Sequence, residues 1–248
     1  ESIQDRRCAQ LWARLTATSG AAAPRRSVHW RCLSQDLGLM LSREAQRAAS
    51  AAGAKAGRRA LSSGDLLFIR RKLLGDKGTM DVRLEEFAQF SRWWAPLLDC
   101  VARMPVEWLS TSPELIRGFA SREDAEASLA TAAPGTFLIR WSSSAGSLAI
   151  SFVDEAVAAA GELLRHAPGG TGGTPSAATT VYHCLVGVDP DSVSIFFGAQ
   201  GQRRYRNLRE LAADCTKLTH VYPGEPKEAV FNAVAAAARG GGGGGGGG

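Results

Sequence analysis

A chain of 248 residues with 45% hydrophobic content and a formal net charge of +5 holds enough apolar material for one or two cored domains. Its pI near 9.2 suits an anionic partner but does not distinguish nucleic acid, a membrane surface or a phosphopeptide. Five cysteines without a CxxC pair argue against a disulfide framework and a zinc site and favour a reducing compartment, and no apolar run nears the roughly 18 residues of a spanning helix or resembles a signal peptide.

Residues 1–26 form an N-terminal extension with no assigned element, and the initial Glu1 reads as the start of a piece of a longer product. From 27 to about 108 the pattern is helical. "SVHWRCLSQDLGLMLSREAQRAA" places Trp30, Leu33, Leu37 and Met40 at three- and four-residue spacings, with Ser27 as a candidate N-cap. "AASAAGAKAGRRA" (48–60) reads as a flexible connection or a frayed helix end. "SSGDLLFIRRKLLG" offers Ser62 or Ser63 as cap, an apolar stripe of Leu66, Leu67, Ile69, Leu73 and Leu74, and Gly75 as stop. "VRLEEFAQFSRWWAPLLDCVARM" aligns Leu84, Phe87, Phe90 and Trp94, and Pro96 should end that helix or begin the next.

The period then changes. "SREDAEASLATA" predicts a helix opened by Ser121 with acidic residues in its first turn. "GTFLIRWS" and "SLAISFV" read as strands joined by "SSAG", and "VYHCLVGV" and "VSIFFG" as strands joined by "DPDS". "YRNLRELAADCTKL" is a closing amphipathic helix, which leaves a helix for each face of the sheet in an α+β arrangement. Residues 158–180, rich in Gly, Pro, Ala and Thr, predict a disordered insert, and 233–248 a low-complexity Ala/Gly tail.

Within "TFLIRWS", Arg140 shares the face of Leu138 by the two-residue period, so a permanent cation enters a covered face and has to meet an anion. An internal carboxylate is one answer. A phosphate is another: Ser142, Ser143 and Ser144 follow directly, and hydroxyls with backbone N–H groups suit phosphate oxygens. Arg122, a cation in a helical first turn where the macrodipole disfavours it, is a second candidate.

"PGTFLIRWSSSAGSLAISF" resembles the core of a Src homology 2 (SH2) domain, and "ELIRGFASREDAEASL", "VYHCLVGV", "VSIFF" and "YRNLRELAADC" resemble its other elements. "IRGFASREDAEASLATAAPGTFLIRWS" and "KLTHVYPGEPKEAVF" are closer to the signal transducers and activators of transcription (STAT family), and the segments upstream resemble the helical linker of that family. The resemblance implies an SH2 fold, a central antiparallel sheet flanked by two helices, over 109–232, preceded by an all-helical, EF-hand-like linker over 27–108. It implies phosphotyrosine binding by Arg140, Arg122, Ser142, Ser143, Ser144 and His183, with Arg140 gripping the phosphate. Ser143 stands where many relatives carry an acidic residue, and His183 matches Src-like domains rather than STATs.

The implied partner is a tyrosine-phosphorylated protein or peptide, read by an interaction module in the cytoplasm, with the nucleus as a second location. The alternative is the C-terminal fragment of a STAT-like transcription factor whose DNA-binding region lies outside this chain. No nucleic-acid motif accompanies "PRR" or "RRK", and Tyr182, Tyr205 and Tyr222 all precede the end of the SH2 pattern, so reciprocal dimerisation finds no support. No catalytic constellation is visible and no cofactor is expected. Calcium is not expected either: with Glu86 at position 12 of an EF-hand loop, Gly75, Lys77 and Thr79 occupy positions 1, 3 and 5.

Overall fold

The computed structural model describes residues 2–17, 26–54, 57–154, 180–196 and 201–239. Most of the insert at 158–180 and the terminal glycines lie outside them.

The chain opens with α1 (Ile3–Thr16), whose Ser2 and Asp5 cap each other's backbone N–H groups. Within the stretch expected to be an unassigned extension, this helix packs on the core: Cys8, Leu11 and Trp12 are buried, and Trp12 stacks on Phe87 at 5.0 Å. β1 (Ser27–His29) leads into α2 (Trp30–Ala51), and α3 (Ser63–Leu74) leads through β2 (Asp81–Arg83) into α4 (Leu84–Arg103). β1 and β2 pair antiparallel, with buried Val28 opposite buried Val82. The region is thus two helix–strand–helix units joined at their strands, which corrects the expectation of an all-helical segment. Ser27 lies in that pairing, so the N-cap of α2 is His29, whose Nδ1 accepts from Arg31 N at 3.2 Å.

Two apolar stripes shift on packing. Leu67 and Leu84 are exposed, while Ile69, Leu73, Leu74, Phe87, Phe90 and Trp94 face inward. Pro96 neither ends α4 nor starts another helix but lies inside it. The carbonyl that loses its donor is that of Arg92, an exposed residue, where water can replace the missing N–H. The "AASAAGAKAGRRA" stretch also carries more than a connection, because Arg59 is 8% exposed. It donates to the carbonyls of Trp108 (3.0 Å) and Ile116 (2.6 Å), pairs with Glu114 and lies 4.0 Å over the Trp108 ring.

A short α5 (Pro105–Leu109) precedes the second region: β3 (Ile116–Phe119), α6 (Arg122–Leu129), β4 (Thr136–Trp141), β5 (Ser147–Val153), β6 (Val181–Val188), β7 (Val193–Phe196), β8 (Gln202–Tyr205), α7 (Leu208–Asp214), β9 (His220–Val221), β10 (Glu225–Pro226) and α8 (Lys227–Arg239). Strand order is β10-β9-β4-β5-β6-β7-β8. β4 to β8 are antiparallel neighbours, but β3 and β9 pair parallel with β4 along its other edge, so the sheet is not wholly antiparallel. α6 covers Leu138 and Val153 on one face, and α7 covers the other. The tail begins later than expected: α8 continues to Arg239 and buries Val234.

One apolar cluster runs from Cys8 on α1 to Val234 on α8. Phe119 of β3 is its hub, with its ring 6.0 to 6.4 Å from those of Trp93, Trp94, Trp108 and Trp141. Asp65 ties the regions further. It caps α3 through Ser62 and accepts from Phe119 N at 2.6 Å while 4% exposed. A Cβ on Gly118, whose φ is +107°, would overlap that carboxylate, so only glycine fits there.

Candidate functional site

β4 is buried along its whole length, and its pleat places Arg140 beside Leu138 on the face that α6 covers. Arg140 is 6% exposed. Its Nη1 donates to the Ala120 carbonyl at 3.1 Å and its Nε to Ser151 Oγ at 3.4 Å. Both acceptors are neutral, and among the described residues no carboxylate lies within ion-pair distance and Nη2 has no acceptor. Burial pushes the guanidinium below its ordinary value, with Glu123 acting against it. Nε and Nη1 of Arg140 are thus each anchored on a neutral acceptor, and Nη2 is left without one among the described residues.

Ser151, which the sequence did not single out, stands opposite Leu138 on one side and His183 on the other. Its Oγ is 2.8 Å from His183 Nδ1, and His183 Nε2 is 3.0 Å from Glu126 Oε1. An ionised carboxylate only accepts, so the proton of a neutral His183 lies on Nε2, donated to Glu126, which leaves Nδ1 to accept from Ser151 Oγ. The same Oγ accepts from Arg140 Nε. Burial lowers the His183 pKa from 6.5, opposed by the Glu126 hydrogen bond and reinforced by Arg122 and Arg140.

Arg122 Nε reaches the same Glu126 oxygen at 3.1 Å. Its side chain is 66% exposed, so it sits at the rim and not against Arg140. Glu126 is held below the usual carboxylate range by His183 and then by Arg122. The chain Arg140–Ser151–His183–Glu126–Arg122 therefore runs across β4, β5, β6 and α6.

The three serines part company. Ser142 is buried, and its Oγ accepts from Ser144 N at 3.0 Å, closing a tight loop. Ser143 and Ser144 are exposed. The helical region fixes this loop by its carbonyls: Trp93 Nε1 donates to Ser142 O at 3.1 Å and Lys72 Nζ to Ser143 O at 3.0 Å. In a trans peptide the N–H points opposite the carbonyl. The clamp on Ser142 O therefore turns the Ser143 N–H away from Trp93 and leaves it available to an anion. Sequence carried no signal for Lys72 or Trp93, which read as helix surface and core. Ser151 had a faint one, as a hydroxyl in an otherwise apolar strand pattern.

Among the described residues there is no metal-binding cluster of His, Cys, Asp and Glu side chains, and no helix is long and apolar enough to cross a membrane.

The family model described as "SH2 domain" matches residues 115–213, which span β3 to α7. "SH2 domain-containing protein A" of Arabidopsis thaliana is 36% identical over 78 residues. That match covers 28% of this chain, and the chain spans only 12% of that relative's length. Residues 115–213 therefore match the SH2 domain, a domain type that in general binds phosphotyrosine and is not catalytic.

Proposed function

We propose that this chain reads phosphotyrosine in a partner protein through Arg140, with His183, Arg122 and the Ser142–Ser144 loop around it. The observation that carries the reading is the buried Arg140 guanidinium, positioned by neutral acceptors on Ala120 and Ser151, with no carboxylate partner and with Nη2 unengaged among the described residues. A phosphotyrosine brings a charge of about −1.5 to −2 and three strong acceptor oxygens, and its length suits a cation at the floor of a covered face. Phosphoserine is shorter by the whole ring.

The helical region is, in this reading, a STAT-type linker with an EF-hand-like core. Support comes from its paired helix–strand–helix units and from Val28 opposite Val82, the position at which two EF-hand loops would meet. Lys77 Nζ lies 2.6 Å from Glu86 Oε1, so an ammonium sits on the carboxylate that a calcium ion would claim.

Isothermal titration with paired phosphorylated and unphosphorylated peptides, chosen from a phosphotyrosine array, tests the reading. Arg140→Ala should weaken phosphopeptide binding by about 2–5 kcal/mol, as for removing one side of a desolvated charge pair. Arg140→Lys should also fail, because a point charge cannot make the bidentate contact. Both variants should keep the fold. Equal phosphopeptide affinity in wild type and Arg140→Ala would overturn the assignment.

A further inference from the structure

A groove of about 690 Å³ runs between α3 and the turn from β3 to α6, alongside the phosphate-binding loop. Five cations line it, Arg58, Arg59, Arg71, Lys72 and Arg117, against three carboxylates, Asp65, Glu114 and Asp124.

Each carboxylate is already engaged. Asp65 accepts from Ser62 and Phe119, Glu114 from Arg59 at 2.8 Å and Arg117 at 3.3 Å, and Asp124 from Ser121 N at 3.0 Å. Among the described residues Arg58 and Arg71 make no ion pair, and Lys72 meets only the neutral carbonyl of Ser143. Both arginines are exposed. Half-buried Phe68 and Leu67, at 44% exposure, add apolar surface to the same lining. A concavity that joins unpaired cations to exposed apolar atoms suits a bound peptide better than a plain solvated helix face.

The groove is also continuous with the proposed phosphotyrosine pocket. Ser143 and Ala120 line it, and Ala120 supplies the carbonyl that holds Arg140. Asp124 lies between the two places: its carboxyl is held low first by Ser121, with Arg71 and Arg140 both contributing.

We propose that this groove receives an acidic segment flanking the phosphotyrosine in the same ligand chain, with Arg58 and Arg71 meeting its carboxylates and Leu67 and Phe68 its apolar atoms. The inference rests on the phosphotyrosine reading. It makes the helical region part of the recognition surface, so that the ligand is read by both halves of the chain at once.

Fluorescence anisotropy with the intact chain tests it. Three phosphotyrosine peptides are needed: one with neutral flanks, one with a run of aspartates before the phosphotyrosine and one with the run after it. Wild type should bind one of the acidic peptides about fivefold more tightly than the neutral one, the scale of one or two exposed ion pairs. The double variant Arg58→Ala/Arg71→Ala should lose that preference, keep wild-type affinity for the neutral phosphopeptide and melt at the wild-type temperature. Equal binding of all three peptides by wild type, or a preference that survives in the double variant, overturns the groove while leaving the phosphotyrosine reading in place. If the neutral phosphopeptide binds no better than its unphosphorylated form, both readings fall. Binding of phosphatidylserine vesicles or an oligonucleotide through Arg58 and Arg71, with no gain from the acidic flank, would assign the groove to a different ligand and also overturn the proposal.

Discussion

Arg140 on β4 and His183 on β6 share a single hydroxyl. Ser151 accepts from Arg140 Nε at 3.4 Å and lies 2.8 Å from His183 Nδ1, so one small side chain on the intervening strand sets the direction of both. The arrangement follows from register, because Ser151 pairs with His183 across β5 and β6 and lies diagonally from Arg140 across β4 and β5.

Ser151→Ala should therefore loosen both partners without removing either charge. The expected loss of phosphopeptide affinity is about 1 kcal/mol, the net worth of a hydrogen bond, and smaller than that of Arg140→Ala. Calorimetry on the two variants side by side checks the order. An unchanged affinity in Ser151→Ala would show that the hydroxyl does not position Arg140.

His183 gives a pH signature. Burial holds its folded pKa below 6.5, so above that pH both folded and unfolded chains carry a neutral imidazole. As pH falls through 6.5 the unfolded chain takes up a proton first, and stability declines until the folded pKa is passed. Groups facing the ring are Ser151 on β5, Arg140 on β4, and Glu126 and Arg122 on α6. A bound phosphate adds negative charge beside it and should raise the pKa, so NMR titration of the ring should show a higher midpoint in the phosphopeptide complex than in the free protein.

Trp93→Phe deletes the indole donor to Ser142 O while keeping most of the ring packing. Leaving that carbonyl unpaired should destabilise the fold by about 1–2 kcal/mol and also weaken phosphopeptide binding several-fold, because the loop loses its clamp. Trp12→Phe is the control: Trp12 stacks on Phe87 far along the helical region and should lower the melting temperature without touching affinity.

Asp65→Ala removes a helix cap and leaves the buried Phe119 N–H without an acceptor, at a cost of about 2–3 kcal/mol. Asp65→Asn should recover part of it, since its carbonyl oxygen can still accept from Phe119. Thermal melting should remain a single transition in wild type, because Phe119 and Asp65 lock both regions into one core. Two separated transitions, or clean proteolysis between residues 95 and 112, would contradict that.

Calcium should leave the melting temperature unchanged at millimolar concentration. Glu86 is held below the usual carboxylate range by the Lys77 ammonium and then by the Arg83 N–H, and Gly75, Lys77 and Thr79 provide no carboxylate at the other ligand positions. Lys77→Met should lower stability slightly without creating a calcium response.

Local chemistry was legible in the residues themselves. The two-residue period of "TFLIRWS" already set Arg140 on the side of Leu138, Ser121 and Asp124 announced the start of α6, and Gly75 the end of α3, because strand pleat and helix caps depend on neighbours a few positions away. Other features depended on partners that only packing brings near. Leu67 fits an apolar stripe but lands over a groove, and Pro96 continues a helix because its orphaned carbonyl faces water. Arg59 reads as part of a small, basic connection yet is buried, since the carbonyls that hold it lie 49 and 57 residues away. The same holds for the Ser142–Ser144 loop proposed to bind phosphate. Its serines were visible in sequence, but the direction of its N–H groups is decided by Trp93, 49 residues before Ser142, and by Lys72, 71 residues before Ser143. A hydrogen bond is directional and short, so its donor can be named from composition but its target is fixed only when the helices have packed.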